Sequence, residues 1–354
     1  MPPPVPDSLA LSHLRLHLVP EQPLHLPAHN KGNSLRGGFG GAFRKLVCVD
    51  LRWECAQCSL RYRCPYTTVF NPFIPPDAPQ FSGNQNIPRP FVIKPPLDTR
   101  THYSPGDALI FDMVLVGTVI DYLPYFIVAF RELGNSGLGL NRARVILQRV
   151  ESIDRRGAAA TVYEASTNLV RPAPPITLQV VGGTDPRGGD ALTPTLSQGE
   201  RQQERPDVAP ATRTLTIEFL TPTTLKTGSG VDRDGAIVRR PAFHHILKRL
   251  RDRVNALATF HGGGPLELDF KGLGAAAEQV ETVEDRTRWV ERSRVARRRG
   301  VTHDLSGFAG TITFRGDVAP FLPLLRVGEY VHVGKNAVFG NGWFQIAAPV
   351  APSE

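Results

Sequence analysis

The stretch Val331 to Ile346, VHVGKNAVFGNGWFQI, decides how the rest of the chain is read. It predicts a short strand over Tyr330 to Val333, a loop holding Gly334, Gly340 and Gly342, and a second strand with Trp343, Phe344 and Ile346. Glycine lacks Cβ and adopts positive φ at little cost, so backbone N–H groups set among Lys335, Asn336 and Asn341 can approach an anion such as a phosphate. The spacing fits neither a Walker P-loop nor a dinucleotide fingerprint, because no Gly-Lys-Ser/Thr opens a helix and no GxGxxG follows a strand into one. A plain structural turn is the competing reading.

The loop has a counterpart upstream. Leu123 to Leu147 (LPYFIVAFRELGNSGLGLNRARVIL) runs parallel to Leu322 to Ile346 (LPLLRVGEYVHVGKNAVFGNGWFQI): each opens on Leu-Pro, reaches Gly-x-Gly (Gly137 and Gly139; Gly340 and Gly342) and ends in a strand. Arg36 to Leu46 matches Arg240 to Leu250 in the same way. The chain therefore reads as two copies of one βα-containing unit, and its 354 residues suit two domains. The expected division is 1–180, a polar Gly/Pro-rich flexible linker or insertion over 181–210, and 211–354.

Alternation of Leu14, Leu16 and Leu18 against His13, Arg15 and His17 predicts a half-buried strand over 9–19. A helix over Ser34 to Leu46 carries Leu35, Phe39, Phe43 and Leu46 at helical spacing. Gly37, Gly38, Gly40 and Gly41 each weaken that helix by about 0.8–1 kcal/mol, which implies that a sheet or a ligand comes close to its backbone. In the second unit, Pro241 to Leu257 is a helix with Phe243, Ile246, Leu247 and Leu250 facing the core, and a short helical turn is expected at Val318 to Leu325.

The 41% hydrophobic and 21% charged content is that of an ordinary globular protein. The net charge of +8 is concentrated: between Arg286 and Arg299 seven arginines face one acid, Glu291. A polyanionic partner follows as an expectation. The start, MPPPVPDSLALSHLRLHL, lacks a basic n-region followed by an apolar core, and Tyr122 to Phe130 is too short to span a bilayer. A soluble cytoplasmic protein with no membrane partner is expected.

All four cysteines, Cys48, Cys55, Cys58 and Cys64, lie within one short segment (48–66). Cys-x2-Cys with a third cysteine close behind and a fourth ahead suits a structural zinc held by four thiolates. An iron–sulfur cluster and unmetallated thiols are the other readings.

LRGGFGGAFRKLVC, the cysteine segment, DYLPYFIVAF followed by GLG, RTRWVERSRVARRRG, GFAGTITF and HVGKNAVFGNGWF together resemble the CRISPR repeat-RNA processing endoribonucleases of the RAMP superfamily, in particular the subgroup with a cysteine cluster. The resemblance implies an α+β chain of two tandem ferredoxin-like (RRM-like) domains, with the cysteine-rich segment inserted in the first. It also implies a cleft that binds CRISPR precursor RNA and cuts within the repeat without a metal. Such cleavage needs only a base for the 2′-OH, alignment with the adjacent phosphorus and an acid for the leaving 5′-oxygen; histidine suits both proton transfers.

Relatives place this histidine in or beside the first helix, where the present chain has none and Gly41 takes the corresponding position. His29, in the loop entering that helix, is the nearest candidate, with Lys31 as charge stabiliser. His102, His244, His245, His261 and His332 are the others. RNA contacts are expected from Arg36, Arg286, Arg288, Arg292, Arg294, Arg297, Arg298 and Arg299 and from Gly334, Lys335, Gly340 and Gly342, because guanidinium forks pair bidentately with phosphate. The alternative is a non-catalytic RNA-binding subunit of a CRISPR effector complex.

Overall fold

A computed structural model describes residues 8–74, 87–180, 213–228, 235–296 and 301–347. The expected linker over 181–210 and Arg297, Arg298 and Arg299 lie outside these residues. The first domain is built on β1 (Ser8–Pro20), α1 (Lys31–Val47), β2 (Phe91–Lys94), β3 (Leu109–Val116), α2 (Leu123–Ser136) and β4 (Val145–Ile153). Its sheet runs β2-β3-β1-β4, extended past β4 by β5 (Ala159–Glu164), with all pairs antiparallel. Numbered by the chain, the four central strands lie in the order second, third, first, fourth, which is the ferredoxin-like arrangement.

The second domain repeats this order. β7 (Arg213–Thr223), α3 (Phe243–Leu257), β8 (Glu281–Asp285), β9 (Gly307–Gly316), α4 (Leu322–Val331) and β10 (Phe344–Ile346) form a sheet β8-β9-β7-β10; β6 (Ile176–Gln179) pairs with the start of β1. The duplication read from the paired Leu-Pro segments thus holds: both begin a helix, α2 and α4, with Pro near the first turn where its missing N–H is harmless.

Over Tyr330 to Val333 the structure departs from the expected strand. Tyr330 and Val331 end α4 rather than forming a strand, because Leu324, Leu325, Val327, Gly328 and Val331 present a helical stripe to the core. The short helical turn expected at 318–325 is correspondingly the start of a longer helix.

In α1 the stripe Leu35, Phe39 and Phe43 is fully buried, with Phe39 stacked on Phe130 of α2 at 4.5 Å. Leu46, expected on the stripe, is exposed because the helix has run past its partners. Two of the predicted glycines of α1 admit side chains rather than a sheet, since a Cβ on Gly38 would lie 2.5 Å from Leu133 and one on Gly40 3.1 Å from Phe70, whereas Gly37 and Gly41 have no neighbour within 4 Å.

The two domains share apolar surface. Leu14, Leu16 and Leu18 of β1 face the first domain's helices, whereas Leu9 and Leu11, with Val92, Val114 and Val116, turn to the opposite side and join Phe243, Leu250, Leu325 and Phe344 of the second domain in one cluster. Backbone also meets backbone across this seam. A Cβ on Gly117 (φ 63°) would sit 1.8 Å from the His261 carbonyl oxygen, and the His261 ring bonds the Pro88 carbonyl at 2.8 Å. Gly117→Ala is therefore expected to lose about 1–3 kcal/mol of stability, read by urea denaturation; an unchanged midpoint would show that the seam can give way there.

Candidate RNA-cleavage cleft

α1 begins at the seam. Asn30, in the left-handed region at φ 61°, turns the chain into the helix, and Gly32 lies so close to the second domain that a Cβ would meet the Phe339 carbonyl oxygen at 2.1 Å. On the other side, Gly340 (φ 93°) rides over β2, where a Cβ would be 2.4 Å from Pro95. These approaches leave a cleft of about 210 Å³ whose walls include His29, Lys31, Asp98, Thr221, Arg292 and Gly340. Both domains contribute to it.

Among the described histidines only His29 lines the cleft. It is exposed, and its pKa is lowered by partial burial, then by the positive charges of Arg292 and Lys31. A neutral imidazole at neutral pH follows, able to accept a proton. His102 stacks edge-on with His25 and His244 touches His245, while His261 and His332 are buried.

Arg292 is half-buried, and no carboxylate among the described residues forms an ion pair with it. Its backbone is fixed by Ser306 Oγ at 3.0 Å and by the Leu305 N–H at 2.9 Å, at the base of a hairpin formed by Ser293–Ala296 and Val301–Asp304. Arg294 lies in that hairpin, paired through its backbone with His303.

Other predicted residues serve the cleft indirectly. Lys31 is only 1% exposed; its ammonium donates to the Asp98 carbonyl at 2.7 Å and to the Asp98 carboxylate. That engagement, which sequence alone did not reveal, fastens the Pro95–Thr99 wall. Arg36 stacks over Phe339 at 5.0 Å and Phe70 at 5.4 Å, so its guanidinium bridges the domains. Arg286 pairs with Glu284 at 2.7 Å, and Arg288 is exposed on an edge strand (Arg288–Val290); neither borders the cleft.

The glycine loop is closely packed against its surroundings. Cβ atoms on Gly334 and Gly342 would lie 2.4 Å from the Thr224 oxygen and 1.8 Å from the Val333 oxygen. Thr221 ties its ends by donating to the Gly340 carbonyl at 2.8 Å and accepting from the Trp343 N–H at 3.0 Å. Lys335 is the loop's exposed cation.

Beneath the loop His332, itself at φ 62°, donates through Nδ1 to the Asn341 carbonyl at 3.2 Å and stacks parallel to Trp343. Burial, then Lys94 and Arg253, hold it well below the ordinary imidazole value. Lys94, over Trp343 at 5.0 Å, is itself pushed down by burial to about 8.

The predicted metal ligands lie apart from this cleft. Cys48 follows α1, Cys55 starts a short 3-10 turn (Cys55–Gln57), Cys58 follows it, and Cys64 precedes a short helix (Pro65–Phe70). All four are free and half-buried. Among the described residues no three His, Cys, Asp or Glu side chains are drawn together tightly enough to hold a metal as they stand. No helix of the described residues is long and apolar enough to cross a membrane.

Two predictions follow from the electrostatics. In an NMR titration His29 should show a pKa below 6.5, and Arg292→Gln should raise it; an unshifted value in the variant would separate the two groups. Because His332 is protonated less readily folded than unfolded, stability should be full above about pH 6.5 and fall as pH drops below it. Flat denaturation midpoints from pH 7 to 5, in wild type and His332→Gln alike, would contradict this.

Comparison with known proteins agrees with this architecture. Residues 217–344 match the CRISPR-associated endoribonuclease Cas6 family, and residues 9–175 match an N-terminal domain family, AF_1859_N. An uncharacterized protein of Archaeoglobus fulgidus is 26% identical over 343 residues, covering 96% of this chain and 98% of its own. A solved Cas6 product complex shares the fold at a TM-score of 0.50, with 17% identity over 96% of this chain and 99% of that one. A partial Cas6-RT-Cas1–Cas2 complex does so at 0.52, with 14% identity over 97% of this chain and 47% of that one. The second domain thus matches the CRISPR-associated endoribonuclease Cas6 family over residues 217–344, and the chain as a whole shares the fold of the solved Cas6 product complex.

Proposed function

We propose that this chain is a cytoplasmic endoribonuclease that binds CRISPR precursor RNA in the interdomain cleft and cuts once within the repeat, without a metal. The observation that supports this most is the meeting of His29, from the first domain, with Arg292, from the second, in one cleft. Neutral His29 takes the proton of a ribose 2′-OH, whose oxygen attacks the adjacent phosphorus. Arg292 offers paired N–H donors to the phosphorane oxygens as their charge grows. The positive end of α1 favours the same anion. The bond to the 5′-oxygen breaks, that oxygen receives a proton, and the products are a 2′,3′-cyclic phosphate and a 5′-hydroxyl.

In this reading Lys31 is a positioning residue, acting through Asp98. Arg294, Arg297, Arg298 and Arg299, which follow Arg292 in the sequence, are further phosphate contacts in this reading, as are Lys335 and the Gly334–Gly342 loop. Each such contact adds salt dependence to binding.

His29→Ala should slow repeat cleavage by about 10²–10⁴-fold with little change in RNA affinity, measured under single-turnover conditions in EDTA. Arg292→Ala should weaken both and reduce the salt slope of binding by about 1. A 2′-deoxy nucleotide at the scissile position should abolish cutting. Normal cutting by His29→Ala would reject the assignment, and tight binding without any cleavage by wild type would identify a non-catalytic subunit of a CRISPR effector complex instead.

A further inference from the structure

The ion pair that fastens the Pro95–Thr99 wall of the cleft is oriented. Its cation lies inside, for the Lys31 side chain at the start of α1 is 1% exposed. Its anion lies outside: the Asp98 side chain is 54% exposed and lines the cleft. The ammonium is covered beneath the wall, and the carboxylate is what the wall presents.

That carboxylate is held still. Lys31 Nζ donates both to Asp98 Oδ1 and, at 2.7 Å, to the Asp98 carbonyl, and the Arg100 N–H reaches Oδ1 at 2.9 Å. Pro95 and Pro96 restrict the backbone just upstream. Both side-chain bonds fall on Oδ1, and no side chain of the described residues donates to Oδ2. Burial favours the neutral acid, but the bonds from Lys31 and the Arg100 N–H prevail and keep the carboxyl below its ordinary value. At neutral pH Oδ2 is therefore a fixed, charged acceptor on the cleft wall.

Such a group has no use for a phosphate, which offers no proton to share and is repelled by a like charge. Arg292, from the second domain, lines the same cleft with the opposite charge. One boundary thus attracts the sugar-phosphate backbone and another turns it away. What a nucleotide can offer a carboxylate is a base N–H or a ribose hydroxyl, and carboxylates are among the groups that read base edges.

We infer that Asp98 is a specificity-determining residue, whose Oδ2 accepts a hydrogen bond from an N–H or O–H donor of a nucleotide beside the scissile phosphate. This turns the donor edge of that nucleotide toward the Pro95–Thr99 wall and its phosphate toward Arg292. A nucleotide lacking the donor leaves the carboxylate desolvated and unpaired, and is rejected. The inference rests on the cleft being where the RNA binds.

The test measures binding of the full chain to a repeat RNA made uncleavable by a 2′-deoxy nucleotide at the scissile position. Flanking nucleotides are replaced one at a time, by a base analogue lacking one N–H donor or by a 2′-deoxy nucleotide. With wild type, one replacement should weaken binding about tenfold. Asp98→Asn keeps Oδ1 for Lys31 and the Arg100 N–H but puts an amide NH₂ in place of Oδ2. It should bind the unmodified RNA about tenfold more weakly, and the same replacement should cost it nothing further. A base analogue with this effect identifies the base edge, a 2′-deoxy nucleotide the ribose hydroxyl. Equal or tighter binding by Asp98→Asn, the result expected from merely removing negative charge near a polyanion, would overturn the inference. So would wild-type binding that no replacement weakens, a readout that does not depend on the variant folding. Arg292→Ala separates the failures: if it weakens binding and Asp98→Asn does not, the cleft reading stands and this inference alone falls; if neither does, both fall.

Discussion

Close backbone contact across the domain seam is the constraint from which the cleft derives. Gly32 against the Phe339 carbonyl, Gly340 against Pro95 and Gly117 against the His261 carbonyl are approaches that any side chain would block. The apolar cluster formed by Leu9, Leu11, Val92 and Val114 with Phe243, Leu325 and Phe344 supplies the attraction; the glycines set the distance and register. Steric contact of this kind is specific in a way that hydrophobic burial alone is not. It seats the start of α1 against the glycine loop, and the cleft is the space left beside that junction.

Within the cleft, charge is arranged by what is neutralised and what is not. Lys31 is buried and paired with Asp98, so its charge is spent on holding a wall in place. Arg292 keeps its charge available, and with Lys31 it biases His29 toward the neutral form. A neutral imidazole with a guanidinium that no carboxylate of the described residues pairs is a polarised pair, in which one member can accept a proton while the other can stabilise an anion.

Much of this was legible in the sequence. Alternation along β1, the helical stripe of Phe243, Ile246, Leu247 and Leu250, and the paired Leu-Pro segments carried the duplicated fold because each reflects local periodicity or a local backbone rule. The strand expected at Tyr330–Val333 failed because a short apolar run reads equally well as helix or strand, and tertiary packing decided it. His29 was reachable from its place before α1. The partners of Lys31 and Arg36 were not: Asp98 lies 67 residues from Lys31, and Phe339 comes from the other domain, so no spacing rule connects them. The glycine loop reads in the sequence as a place for an anion; its close neighbours, the Thr224 and Val333 carbonyls and Pro95 of the first domain, come from chain positions that no local pattern connects.

The account stands on the interdomain cleft being where RNA is cut. The most direct measurement is a co-crystal structure of the wild-type chain with a repeat RNA carrying a 2′-deoxy nucleotide at the cleavage site. The scissile phosphate should lie between His29 and Arg292, with the attacking ribose turned toward the imidazole. An RNA bound elsewhere on the protein, with this cleft vacant, would contradict the account.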